Sequence, residues 1–182
     1  MRPWTRLRAH IETARFEARA DRQREAQRRR EELLAADPTL RDPRRLAVHE
    51  LQVFSQNGED GVIREIFRRL GPGGRRFVEF GCGNGVENNT VFLLHQGWQG
   101  VWFDADRALV KQIRRSHRHL LSAGLLDIAC TPVTAANVEE LFARHDVPTE
   151  VDLVSIDIDS DDYWVWEALR HWRPRVVVIE YN

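Results

Sequence analysis

The chain reads as an α/β protein built on a doubly wound, mainly parallel sheet, and three observations predict this. Short apolar runs alternate with stretches of helical spacing along most of the 182 residues, which is how strands and crossover helices are written in sequence. Closely spaced glycines in Glu79-Phe-Gly-Cys-Gly-Asn-Gly85 follow the apolar Phe77 and Val78 and precede the helix-like Asn88-Asn-Thr-Val-Phe-Leu-Leu94. Acidic residues then stand where later strands end, at Asp104, Asp157, Asp159 and Glu180. In an open parallel sheet, those carboxyl ends are where ligands bind.

Taken in order, residues 1–36 read as helix, with no proline after Pro3 and many good helix formers. Trp4, Leu7, Ile11 and Ala14 form a narrow apolar stripe that fades into charge. Residues 1–30 hold ten arginines against four acids, so the segment suits a solvated extension, a short coiled coil or a surface for an acidic partner. Asp37-Pro38 and Asp42-Pro43 break the helix and divide the chain into an extension, 1–45, and a domain, 46–182. Ser55 is the expected N-cap of a helix carrying Val62, Ile63, Ile66, Phe67 and Leu70, with Glu59 and Asp60 in its favourable first turn. Gly71-Pro-Gly-Gly74 ends that helix and feeds the first strand, around Phe77. Strand two is Gly100–Phe103, followed by a basic helix from Ala108 to about His119. Strand three falls around Ile128–Val133, a helix over Asn137–Arg144 and strand four over Val151–Ile158. A helix over Trp164–Trp172 and a fifth strand, Val176–Tyr181, complete the series.

Composition bounds the function without naming it. A hydrophobic content of 42%, a charged content of 30% and a net charge of -1 are ordinary for a globular protein and give no global pull toward nucleic acid or an anionic membrane. No run is long enough to span a bilayer and no apolar signal core stands near the N-terminus, so the expected location is the cytoplasm. Cys82 and Cys130 have neither metal-ligand spacing nor the numbers of a disulfide framework.

The glycine turn carries the chemistry. Glycine is needed where the turn is tight and the backbone must approach a ligand. The dinucleotide fingerprint is not met, because Val86 stands where its third glycine belongs, and this weakens an oxidoreductase reading. Asp104 lies nineteen residues past Gly85, close to the spacing at which an acid grips ribose hydroxyls; Asp106 competes for that role. Thr134, in Thr134-Ala-Ala-Asn137, could border an adenine ring or simply cap a helix. Four aspartates crowd Ser155-Ile-Asp-Ile-Asp-Ser-Asp-Asp-Tyr163. If strand four runs through them, Asp157 and Asp159 share a side and can hold a divalent cation through hard oxygens. They can equally give one carboxylate a raised pKa for use as a base; on the plainer alternative Asp161 and Asp162 cap the next helix and only Asp157 faces the ligand. Glu180, at the end of strand five, would join the same aspartates.

Taken together, these segments resemble the class I S-adenosylmethionine-dependent methyltransferases, and within them the FkbM type. The resemblance covers roughly 53–182. It rests on Ser55-Gln-Asn-Gly-Glu-Asp60, Phe77-Val-Glu-Phe-Gly-Cys-Gly-Asn-Gly85, Gly97-Trp-Gln-Gly100, Ser155-Ile-Asp-Ile-Asp159 and Val178-Ile-Glu-Tyr-Asn182. It implies a Rossmann-like fold, S-adenosylmethionine at the glycine turn, and O-methylation of a sugar, polyketide or other small metabolite. On it, Glu79, Gly81, Gly83 and Gly85 line the methionine portion and Asp104 the ribose. Asp157 sits near the transferred methyl; Asp157 and Asp159 are the candidate catalytic residues and, with Glu180, the candidate ligands of a magnesium ion. Class I enzymes continue past strand five, whereas this chain stops at Asn182. The expectation is therefore a C-terminally incomplete domain that self-associates through its exposed sheet edge or its N-terminal helix. The alternative is a non-catalytic scaffold that docks a partner through that helix.

Overall fold

The computed structural model of the protein describes residues 21, 24, 25, 27–159 and 161–180. The apolar stripe of Trp4, Leu7, Ile11 and Ala14 lies outside them. Five strands form one sheet: β1 Arg76–Phe80, β2 Gln99–Asp104, β3 Leu126–Cys130, β4 Leu153–Ile156 and β5 Val176–Ile179. Their order is β3-β2-β1-β4-β5, and every pairing is parallel. The chain thus winds outward from β1 to one edge, then returns to build the other half. The switch in direction falls between β1 and β4, where ligands bind in sheets of this kind.

Helices cover both faces. Residues 27–36 are helical (α1), followed by α2 Glu59–Leu70, α3 Val91–His95, α4 Arg107–Ser116, α5 Arg118–Ser122, α6 Val138–Arg144 and α7 Asp162–Ala168. Two cores result. On one face, Phe77, Trp102 and Leu153 pack under Ile63 and Phe67 of α2, Leu93 and Leu94 of α3, and Val110 and Ile113 of α4. On the other, Val78, Phe80, Val101, Phe103, Val154 and Ile156 meet Val138, Leu141 and Phe142 of α6 and Val165 of α7. The period of two along β1 separates Phe77 from Val78 and Phe80, as a sheet buried on both sides requires.

Several boundaries differ from the sequence expectation, each for a local reason. The N-cap position of α2 is Gly58, not Ser55. Ser55 still acts at that helix end: its hydroxyl accepts from the Asp60 N–H at 3.1 Å, and the Asp60 carboxylate accepts from the N–H groups of Val53, Phe54 and Ser55. The basic helix breaks at His117 into α4 and α5. The helix after β4 ends at Ala168 rather than Trp172 because Glu139 of α6 captures the Arg170 and His171 N–H groups, both at 2.7 Å. Strand four stops at Ile156 instead of Ile158. Beyond it, Ile158 donates to the Asp162 carboxylate at 2.9 Å and Asp159 takes a left-handed φ of 54°. Asp157 and Asp159 are therefore residues of a turn, and strand alternation does not place them on one side.

Candidate functional site

The site begins with the turn after β1. Gly81, Gly83 and Gly85 all have positive φ, but they are needed for different reasons. A Cβ on Gly81 would stand 1.6 Å from the Asp157 carbonyl oxygen, and one on Gly85 would press on Ile113 and Trp102. Those two glycines let the turn close against its own protein. A Cβ on Gly83 would meet nothing within 4 Å; its bare backbone faces open space.

A buried polar chain anchors the far side of the turn. Glu79 is 3% exposed and sits in register between Trp102 of β2 and Ser155 of β4. Its carboxylate accepts from Asn88 Nδ2, from the N–H groups of Asn89 and Thr90, and from Thr90 Oγ1 at 2.5 Å. Trp102 Nε1 donates to Thr90 Oγ1 at 2.8 Å, and Asn89 Nδ2 to Ser155 Oγ at 3.1 Å. Burial pushes the Glu79 carboxyl up to about 7 against the pull of these donors. Cys82 is buried beside it, and burial together with Asp104 and Glu79 holds its thiol well above the usual range, which disfavours the thiolate.

Asp104 closes the turn from β2. One oxygen accepts the Gly83 N–H at 2.8 Å and the other the Asp106 N–H at 2.8 Å. Asp106, the competitor, is the cap of α4, accepting from the Ala108 and Leu109 N–H groups.

Two clefts open on either side of this turn. The first, about 400 Å³, is lined by Glu79, Gly81, Cys82 and Gly83, by Asn88 and Asn89, and by Asp157 and Glu180 at the ends of β4 and β5. Gln56, Asn57 and Glu59 form its opposite wall. The second, about 420 Å³, is lined by Asp104, Ala105, Thr131, Pro132, Val133, Asp157 and Asp159. Gly81, Gly83 and Asp157 border both. A ligand crossing the turn at Gly83 would occupy the two together.

Asp157, Asp159 and Glu180 bring carboxylate oxygens within 4.8 Å of one another, and all three are exposed. The Asp157 carboxyl is raised above the ordinary carboxylate range, first by its partial burial and then by Glu180, Asp159 and Asp162. Thr134 is not among the residues lining either cleft. Its N–H donates to Asn137 Oδ1 at 2.8 Å and its carbonyl accepts from Asn137 and Val138, so it belongs to the approach to α6. The neighbouring Thr131–Val133 segment takes the cleft wall instead. Of the cleft residues, Gln56, Asn57 and Glu59 carried no site expectation. Their signal lay in the polar Ser55–Asp60 stretch, but nothing in its pattern says that it reaches the end of β4.

No family model and no curated protein matches the chain. Solved structures do resemble it, at low identity. A methyltransferase from Thiobacillus denitrificans in complex with S-adenosyl-L-homocysteine gives a TM-score of 0.45 and 16% identity over 72% of this chain and 50% of its own. An S-adenosylmethionine-dependent methyltransferase from Clostridium acetobutylicum gives 0.41 and 17% over 61% and 44%. The StiE O-MT gives 0.40 and 15% over 69% and 50%. The chain spans about half the length of these structures.

Proposed function

We propose that the chain binds S-adenosylmethionine across the β1 turn and is an O-methyltransferase acting on a small hydroxylated acceptor, such as a sugar or polyketide. The observation that supports this best is Gly83: it joins two clefts at the switch point, leaves open space where a side chain would stand, and has the Asp104 carboxylate beside it. Asp104 would accept from the ribose diol, and Thr131–Val133 would border the adenine. The first cleft would take the methionine portion and the acceptor, with Glu79 holding the Asn88–Thr90 wall in place.

The cofactor supplies a methyl group on a positively charged sulfur. The chain's own contribution is to position the acceptor hydroxyl and receive its proton. Asp157 borders both clefts, and its raised carboxyl is suited to that task. Asp157, Asp159 and Glu180 also fit a hard divalent cation, which would offset their mutual repulsion and orient the same hydroxyl. Magnesium is the ion proposed.

Calorimetric titration with S-adenosylhomocysteine tests the reading. One-to-one binding is expected, weakened at least about tenfold by Asp104→Ala and by Gly83→Ala. Asp157→Ala should leave that affinity unchanged and lower turnover. Magnesium should bind the parent and not the Asp157→Ala/Asp159→Ala variant. A folded chain that does not bind S-adenosylhomocysteine, or Asp104→Ala and Gly83→Ala variants that bind as the parent does, would overturn the assignment.

A further inference from the structure

A second charged feature lies away from the clefts, on α4 and α5. No acid occurs between Asp106 and Asp127, while Arg107, Lys111, Arg114, Arg115 and Arg118 all fall there. Val110 and Ile113 of α4 are buried against the sheet, and all five cationic residues are exposed. At 100° per residue, positions 107, 111 and 114 of α4 lie within about 60° of one another, with 115 alongside. These four form a single stripe on α4, and Arg118 stands at the start of α5, past the break at His117.

Among the described residues, none of the five makes an ion pair. Arg114 donates to the Ile128 carbonyl at 3.2 Å. Some other cations of the domain do find acids: Arg68 and Arg69 pair with Glu65, Arg144 with Glu140, and Arg175 with Asp152. The stripe also places like charges at i and i+4 twice within α4, as 107/111 and 111/115, and each such pair destabilises a helix. The helix dipole favours Arg114 and Arg115 in the last turn of α4 but disfavours Arg107 in the first. Helix stability therefore does not account for the arrangement.

We propose that this stripe docks an acidic protein helix, whose carboxylates at the same i, i+4, i+7 spacing would run along it. A nucleic acid fits less well. The stripe has no Phe, Tyr or Trp on which bases could stack. The stripe starts two residues past Ala105, which lines the second cleft, but none of its own residues lines either cleft.

Fluorescence anisotropy with a labelled helical peptide of about 15 residues, bearing glutamates at i, i+4, i+7 and i+11, tests the proposal. Binding should be saturable at low salt and weaken as salt rises. It should fall at least about tenfold in the Arg107→Glu/Lys111→Glu/Arg115→Glu/Arg118→Glu variant. Lys111→Glu alone, by replacing repulsion with attraction, should raise the melting temperature by about 2–4 °C. The proposal is overturned by absent peptide binding, by binding indifferent to charge reversal, or by tighter binding of a single-stranded oligonucleotide of equal charge. Failure of Lys111→Glu to raise the melting temperature overturns its premise.

Discussion

Glu79 occupies an unusual position for a carboxylate: buried, surrounded by donors, and in the middle strand of the sheet. Burial raises its pKa from 4.5 to about 7, so the folded state prefers it protonated. Between those two values the fold binds a proton that the unfolded chain has released, and stability falls as pH rises. The contribution is complete below about pH 4.5 and gone once the pH has passed about 7, with an upper magnitude of about 3 kcal/mol at roughly 1.4 kcal/mol per pKa unit. Glu79→Gln has no proton to lose. Denaturation measured at pH 5 and pH 7.5 should show the parent losing more stability across that interval than the variant, the difference being the Glu79 contribution since His117 and Asp157 are shifted in both; parallel slopes would mean that Glu79 is ionised throughout. Glu65 behaves in the opposite sense. Arg68 and Arg69 hold its carboxyl down at about 2, so its contribution is present above pH 4.5 and is lost only in acid, outside the Glu79 interval.

The wall of the first cleft depends on one knot between a loop and the start of α2. Asp60 is 1% exposed and accepts three backbone N–H groups, from Val53, Phe54 and Ser55, at 2.6–2.9 Å. Asp60→Ala would leave those donors unpaired in a largely buried place, costing about 2–4 kcal/mol. Asp60→Asn should recover part of the loss, because the amide oxygen still accepts. Urea denaturation checks this, and a loss below about 1 kcal/mol would show that the loop holds without the knot. The same segment shows how far elements were legible in the sequence. The helix was, because Val62, Ile63, Ile66, Phe67 and Leu70 carry its period. The cap was displaced, because a serine five residues before its donor reads like one directly before the helix. Strand four was overextended for a related reason: Ile156, Asp157, Ile158 and Asp159 alternate as a strand does. What ends the strand is a side chain, Asp162, folding back onto the Ile158 N–H, and alternation does not report such a contact.

For the molecule as a whole, the alternation of elements was enough to predict the parallel sheet, and the glycine turn marked the strand beside its switch point. How Gln56 and Glu59 come to face Asp157 was not legible, because loops converge only once strand order is set. Among the described residues the same order leaves two edges, β3 and β5. β5 is Val176-Val-Val-Ile179, with every residue only partly buried, and it pairs with β4 alone among the described residues. The α7 helix, which links β4 to β5, exposes Tyr163, Trp164 and Trp166 by 52%, 57% and 46%. A β-branched edge strand joined to an exposed aromatic surface favours contact between chains. Light scattering at tens of micromolar should therefore give a mass above that of one chain. Trp164→Glu/Trp166→Glu tests the aromatic contribution: a return to monomer would assign association to α7, and an unchanged mass would exclude α7 as its driver. A parent chain that is monomeric at that concentration would show that neither surface drives association.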